Sequence, residues 1–144
     1  MERNWANSLV RYRVPISWAL GLLALAIAKP TPQLLALGVP IGAMGQVLRL
    51  WSAGHLIKGE GVTRSGPYAL TRNPLYLGSS VIGLGFVVAA GRWELLAILA
   101  ILLFGVFLPV MKTEAQSLER RFPQAYSEYV SAVPMFFPRF RPRT

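Results

Sequence analysis

Four apolar segments constrain this chain more than any other feature. They cover residues 14–28, 34–56, 75–90 and 93–111. A helix that crosses a bilayer needs about 20 apolar residues, so the second and fourth segments suffice, while the first and third need flanking residues. Hydrophobic residues make up 53% of the chain and charged residues 15%, and a soluble protein of 144 residues could not bury so much apolar surface. The sequence therefore predicts an all-α integral membrane protein with four transmembrane helices, forming one domain over residues 1–144.

The basic residues alternate between the two ends of these segments. Twelve precede the first segment, separate the second from the third, or follow the fourth, whereas only Lys29 and Arg92 lie in the other two connections. Lysine and arginine accumulate in cytoplasmic loops, so we expect both termini and the 57–73 loop in the cytoplasm. The net charge of +9 then faces lipid head groups. Membrane lipids are the expected partners, and nucleic acid is not.

The fourth apolar segment continues past Pro109 without a turn signal. Glu114, Ser117, Leu118 and Arg121 follow at a spacing that places them on one helix face. Because Pro123 interrupts the pattern, we expect this helix to end just before it and a short helix to follow. The sequence thus predicts a cytoplasmic, helical C-terminal extension.

Small residues recur in the two central segments. They are Gly38, Gly42 and Gly45 in the second segment and Gly78, Gly83 and Gly85 in the third. Such faces allow helices to pack closely in lipid, and they also permit a homodimer. Arg49 lies in the second segment, where it either faces an internal polar pocket or extends to the cytoplasmic surface.

A polar motif precedes the third segment. Residues 65–78 read SGPYALTRNPLYLG. Asparagine is a favoured N-cap and proline a favoured first helical residue, so Asn73 and Pro74 account for a simple helix start. The same helix start offers free N–H groups to an anion, with Tyr68 and Tyr76 at the same level and Glu114 arriving from the fourth helix. Both interpretations remain open on local physics.

No metal site is expected. The chain has no cysteine and no aspartate, and His55 is its only histidine. Metal sites in proteins need several such ligands together.

A longer motif extends the 65–78 segment. It consists of Gly66, Tyr68, Arg72-Asn73-Pro74, Tyr76, Gly78, Glu114, Leu118, Phe122, Tyr126, Tyr129 and Val133-Pro134. This combination resembles the isoprenylcysteine carboxyl methyltransferases and phospholipid methyltransferases, which are membrane enzymes that use S-adenosylmethionine. The resemblance covers residues 55–138, and it implies in-line transfer of a methyl group to a lipophilic, membrane-embedded acceptor at the cytoplasmic interface.

The resemblance also assigns residues. It places cofactor binding at Gly61, Val62, Thr63, Tyr68, Asn73, Pro74, Leu75, Tyr76 and Glu114. Glu114 and Tyr76 are the expected catalytic residues, and we expect Arg49 and His55 to contact the substrate. Asn73 stands where the prenylcysteine enzymes have histidine, and the position of their substrate-binding arginine falls near Val110. The acceptor, a prenylcysteine-type carboxylate or a lipid amine, therefore stays open.

The two candidate acceptors, a carboxylate and an amine, differ in whether they need a base. A carboxylate is already a nucleophile at neutral pH, whereas an amine must first lose a proton. Glu114, Tyr76 and His55 are the candidate bases for that step.

Two other functions fit parts of the sequence. Membrane sterol reductases share a related C-terminal cofactor region, so an NADPH-dependent reductase is one alternative, although the 57–73 loop is short for it. A small four-helix drug exporter is the other, but the glutamates of this chain lie at or beyond the ends of the apolar segments. Short loops and the absence of a targeting signal favour a prokaryotic inner membrane.

Overall fold

The computed structural model describes residues 2–56 and 61–139, and in that part of the chain the elements are helices without strands. The helices are α1 (Glu2–Ile27), α2 (Pro32–His55), α3 (Pro74–Ala90), α4 (Leu95–Leu102), α5 (Leu108–Arg121) and α6 (Pro123–Ala132). A 3₁₀ turn, Gly66–Ala69, precedes α3, and a π-helical segment, Leu103–Phe107, joins α4 to α5. The predicted all-α class is confirmed.

Three helices are long and apolar enough to cross a bilayer. They are Asn7–Ile27, Pro32–His55 and the continuous helix Leu95–Arg121. Helix α3 is apolar but has 17 residues. That length gives about 25 Å of helix, a few Å less than a hydrocarbon core of about 30 Å. Three of the four predicted spans are thus found by length and composition, and the fourth stays a prediction. Residues 57–60 of the predicted cytoplasmic loop and residues 140–144 lie outside the described chain.

The helix Leu95–Arg121 passes Pro109, as the sequence predicts. Proline has no N–H, and in a regular α-helix its ring clashes with the carbonyl four residues earlier. The π-helical segment Leu103–Phe107 immediately precedes this position and widens the turn that the ring must fit. The helix then ends at Arg121, and α6 begins at Pro123.

Glycines bring α2 and α3 into backbone contact. A Cβ placed on Gly45 would lie 2.6 Å from the carbonyl oxygen of Gly78, and one on Gly85 would lie 2.5 Å from the nitrogen of Gly42. The predicted close packing is therefore real, and it occurs within the chain. The contact uses Gly38 and Gly45 on α2 and Gly78 and Gly85 on α3, whereas Gly83 faces Leu99 of α4. The homodimer stays a prediction.

Helix α1 meets α3 near both ends and leaves a space between them. At one end Ala24 packs with Val87, Ala90 and Leu95, and the backbone N–H of Lys29 donates to Ala90 O at 2.8 Å. At the other end the side chain of Arg13 reaches the start of α3. The candidate site lies at that second end.

Candidate active site

Three helices each contribute one side chain to a hydrogen-bonded cluster. The Nη1 of Arg13, on α1, donates to Glu114 Oε1 on α5 at 2.6 Å and to Tyr76 Oη on α3 at 2.8 Å. The Tyr76 hydroxyl in turn donates to the same Oε1 atom at 3.0 Å. Tyr76 is further held by its ring contact with Phe107, whose centroid lies 5.2 Å away. We call these residues, Arg13, Tyr76 and Glu114, the Arg-Tyr-Glu cluster.

The polar face of α5 extends beyond this cluster along the cavity. Glu114, Ser117, Leu118 and Arg121 all line the same cavity. The sequence places them on one face at intervals of three and four residues, and the structure confirms that arrangement.

A small layer of aromatic and polar residues covers the start of α3. We call it the cap; it consists of the 3₁₀ turn, α6 and residues 133–139. The buried Tyr129 donates its hydroxyl hydrogen to the carbonyl of Tyr68 at 2.6 Å. Arg72 donates from its backbone N–H to Pro134 O at 2.9 Å and from Nη1 to Tyr126 Oη at 3.1 Å. These bonds tie the end of the described chain to the segment that starts α3.

Asn73 begins α3 as predicted, but its side chain does not cap the helix. Its Nδ2 donates instead to Met135 O at 2.9 Å, and no side-chain hydrogen bond reaches the first turn. Asn73 therefore joins the cap to the helix start. Local sequence rules give the position of the helix end but not this long-range partner.

Burial in the cap keeps two tyrosines protonated over a wide pH range. Burial raises the pKa of Tyr68 to about 12, and the negative charge of Glu114 adds to the shift. Burial and the neighbouring Tyr68 also raise the pKa of the Tyr129 hydroxyl. Both hydroxyls are thus hydrogen-bond donors at neutral pH, and neither is a base.

A cavity of about 1130 Å³ lies between α1, α3 and the helix Leu95–Arg121. Its polar end is lined by Arg13, Tyr68, Arg72, Asn73, Tyr76 and Glu114. The remainder is mostly apolar and includes Trp18, Ala24, Phe86, Leu95, Ile98 and Leu99. Pockets for single small molecules measure about 300–1,000 Å³, so this volume exceeds that range. Polar groups at one end and apolar walls beyond them suit an amphiphilic ligand.

The predicted cofactor-binding residues divide into two groups. Tyr68, Asn73, Leu75, Tyr76 and Glu114 line the cavity together. The other four lie outside its lining: Gly61, Val62, Thr63 and Pro74. Val62 packs against the Tyr126, Tyr129 and Val133 cluster, and Thr63 and Pro74 are buried. The roles of all nine stay predictions.

Only one of the two predicted substrate-binding residues lines the cavity. Arg49 lines the cavity, and its Nη1 donates to Ser79 Oγ at 2.5 Å. His55 does not line it; its Nδ1 lies 3.0 Å from Ser65 Oγ, and its ring lies where a Cβ on Gly66 would be. Gly66 has a φ of +60°, so glycine suits both the turn and the close approach of the ring.

No described part of the chain gathers metal ligands. Within residues 2–56 and 61–139, no group of three or more histidine, aspartate or glutamate side chains is placed to hold a metal ion.

Arg13 is a candidate site residue that the sequence did not reveal. There it counts only as a basic residue before the first apolar segment, although it is polar at the edge of a span, which is a known signal of function. Its partners are 63 and 101 residues away.

Comparison with known proteins agrees with the motif. A model of the phospholipid methyltransferase family matches residues 34–125. The cobalt-zinc-cadmium resistance protein CzcN of Cupriavidus metallidurans is 34% identical over 96% of this chain and 69% of its own length. The nickel-cobalt-cadmium resistance protein NccN of Alcaligenes xylosoxydans xylosoxydans is 34% identical over 74% of this chain and 50% of its own length. No solved structure matches the chain significantly. The chain belongs to the phospholipid methyltransferase family.

Proposed function

We propose that the protein transfers a methyl group from S-adenosylmethionine to a lipid-like acceptor. One observation carries the proposal most directly: five residues of the motif converge on the polar end of a cavity whose other walls are mostly apolar, namely Tyr68, Arg72, Asn73, Tyr76 and Glu114. A water-soluble cofactor fits the polar end, and an acceptor with an apolar tail fits the rest. The family match favours methyl transfer.

The residues at the polar end suit this cofactor. Arg72 Nε is buried without a described hydrogen-bond acceptor, which fits the carboxylate of an amino-acid moiety. No described residue donates to Oε2 of Glu114, and Tyr68 and Tyr76 supply aromatic rings, so positively charged groups also find partners here. We assign cofactor binding to Tyr68, Asn73, Tyr76 and Glu114, with Arg72 as a further candidate.

The reaction needs alignment more than acid–base chemistry. S-adenosylmethionine supplies an activated methyl group on a sulfonium, whose sulfur keeps the electron pair of the broken bond while the acceptor provides the pair for the new one. The chain must align the acceptor in line and exclude water. Within the Arg-Tyr-Glu cluster, the Tyr76 hydroxyl already donates to Glu114 and accepts from Arg13. We therefore assign Tyr76 and Glu114 to positioning the reactants at the site of transfer.

Membrane topology follows from the same proposal. We place α1, α2, α3 and the helix Leu95–Arg121 across the membrane as four spans, with both termini, the cap and the cluster on the cytoplasmic side. The basic residues support this orientation, and close packing on α2 supports the short helix α3. The simplest setting is the inner membrane of a prokaryote.

The names of the relatives suggest a physiological setting. Both are called metal resistance proteins. We propose that methylation of a membrane component contributes to metal resistance, rather than direct binding of the metal. Expression of the wild-type chain in a cadmium-sensitive bacterium should raise the tolerated cadmium concentration, and the Glu114→Gln variant should not.

Calorimetric titration with S-adenosylhomocysteine tests the activity itself. The purified protein in detergent should bind this ligand and not NADPH. Charge-assisted hydrogen bonds contribute about 1.5–3 kcal/mol, so Glu114→Gln should weaken binding about ten-fold or more. Glu119→Gln is the matched control, because Glu119 lies on α5 outside the cavity lining and is exposed. Unchanged affinity in Glu114→Gln would remove Glu114 from the site, and binding of NADPH instead would favour the reductase.

A further inference from the structure

Charge is distributed unevenly around the cavity. Among the described residues that line it, four are arginines and one is a glutamate: Arg13, Arg49, Arg72, Arg121 and Glu114. Glu114 is already paired with Arg13 at 2.6 Å. Arg49 and Arg72 are bonded only to neutral side chains, Ser79 and Tyr126. Even without Arg121, the lining therefore has an excess of positive charge, which favours an anionic over a cationic head group.

Arg13 is held in one orientation with most of its donors unused. Both of its described side-chain hydrogen bonds come from Nη1, to Tyr76 and Glu114. A guanidinium has five N–H donors, and no described group accepts from Nε or Nη2. The side chain is 37% exposed and lines the cavity. Two fixed bonds on one nitrogen leave the rest of the planar fork ready for the oxygens of a carboxylate or phosphate.

The wall beyond Arg13 is apolar. Successive turns of α1 line the cavity from Arg13 through Ser17, Trp18, Gly21 and Ala24, and Phe86 of α3 faces the same space. An anion bound at Arg13 would thus have room for an attached hydrocarbon chain. Arg72, in contrast, is bound to the cap, where its Nη1 donates to Tyr126 Oη.

We propose that Arg13 binds the anionic head group of the acceptor, with Tyr76 and Glu114 holding the guanidinium in place. The acceptor is then an amphiphile with a carboxylate or phosphate, rather than a simple lipid amine. This inference rests on the proposed methyltransferase function and names the substrate class of the same site. The carboxylate of the cofactor is the other source of such an anion, and the experiment separates the two.

Quenching of Trp18 fluorescence reports binding beside Arg13. The two residues are five positions apart on α1, a rise of about 7.5 Å, which is close to the length of 6-bromohexanoate. In a variant whose other tryptophans, Trp5, Trp51 and Trp93, are replaced by phenylalanine, the bromine of this probe should quench Trp18. The neutral 6-bromohexanol and the cationic 6-bromohexylamine serve as matched probes. The chain has no cysteine for these bromides to alkylate.

The wild-type site should bind 6-bromohexanoate at least about ten-fold more tightly than 6-bromohexylamine. Arg13→Gln should abolish that preference, and Arg13→Lys should restore part of it. Arg11→Gln is the charge-matched control, since Arg11 is an exposed residue of α1 outside the cavity lining. Equal binding of the two probes by the wild-type site would overturn the proposal even if Arg13→Gln failed to fold.

Titration with S-adenosylhomocysteine in the same variants identifies the source of the anion. Because Glu114 loses its charged partner in Arg13→Gln, affinity for this ligand can change, but the change should be several-fold smaller than the loss for 6-bromohexanoate. A loss as large as that for 6-bromohexanoate would assign Arg13 to the cofactor and overturn the proposal. A wild-type protein that prefers 6-bromohexanoate but does not bind S-adenosylhomocysteine would refute the methyltransferase function and leave the anion site intact.

Discussion

Replacing Gly45 by alanine should force α2 and α3 apart. The added Cβ would lie 2.6 Å from Gly78 O and 2.8 Å from the nitrogen of Ile82, whereas ordinary contacts begin at 3.4 Å. Both of these atoms belong to the backbone, so no side-chain rotation relieves the overlap. The two helices would have to separate by roughly 0.8 Å at this point.

The expected cost follows from two opposing effects. Overpacking of a tight contact costs about 1–3 kcal/mol. Alanine recovers about 0.5–1 kcal/mol over glycine in the middle of a helix. Gly45→Ala should therefore lower the free energy of unfolding by about 1 kcal/mol, and by at most about 2.5 kcal/mol.

Gly42→Ala is the matched control, one turn earlier on the same helix. A Cβ at Gly42 meets no atom within 4 Å. This variant should be neutral or more stable by up to about 1 kcal/mol. Titration of the detergent-solubilised proteins with sodium dodecyl sulfate, followed by far-ultraviolet circular dichroism, measures both changes. Equal effects of the two substitutions would refute the assigned contact between α2 and α3.

Three further predictions concern the cap. Tyr129→Phe removes the hydroxyl that donates to Tyr68 O at 2.6 Å and leaves this buried carbonyl without its donor. The free energy of unfolding should therefore fall by about 1–3 kcal/mol. No change would show that water replaces the hydroxyl. Asn73→Ala removes the bond to Met135 O and should release residues 133–139 to limited proteolysis, whereas Thr113→Ala should not. The pKa of Tyr68 is raised from 10.0 to about 12, so its contribution to stability is complete below pH 10 and is lost as the pH rises towards 12. Tyr68→Phe should therefore flatten the fall of the melting temperature over this pH range. An unchanged slope would contradict the shift.

The apolar segments made the helices predictable from sequence. Hydropathy is a local property, and a span must satisfy its backbone within its own helix, so the segments 34–56 and 75–90 correspond closely to Pro32–His55 and Pro74–Ala90. The same holds for the passage of the last long helix beyond Pro109. The polar face of α5 was predictable because helical periodicity places residues three and four apart on one side.

The partners of the site residues were not predictable in the same way. Asn73 marks the start of α3 by a local rule, yet its side chain bonds to Met135, 62 residues away. His55 precedes the motif in sequence but packs on Gly66 outside the cavity. In neither case does the adjacent sequence contain the partner.

The sequence by itself determined the helical class, the segments suited to the membrane and the residues of the family motif. Only the tertiary structure placed Arg13 against Tyr76 and Glu114, at 2.8 and 2.6 Å, because the meeting of α1, α3 and α5 depends on how the helices pack. Hydropathy and periodicity describe each helix alone, and they carry no information about which faces of different helices meet. The charges of Arg13 and Glu114 come together in the candidate site only through this packing of α1, α3 and α5.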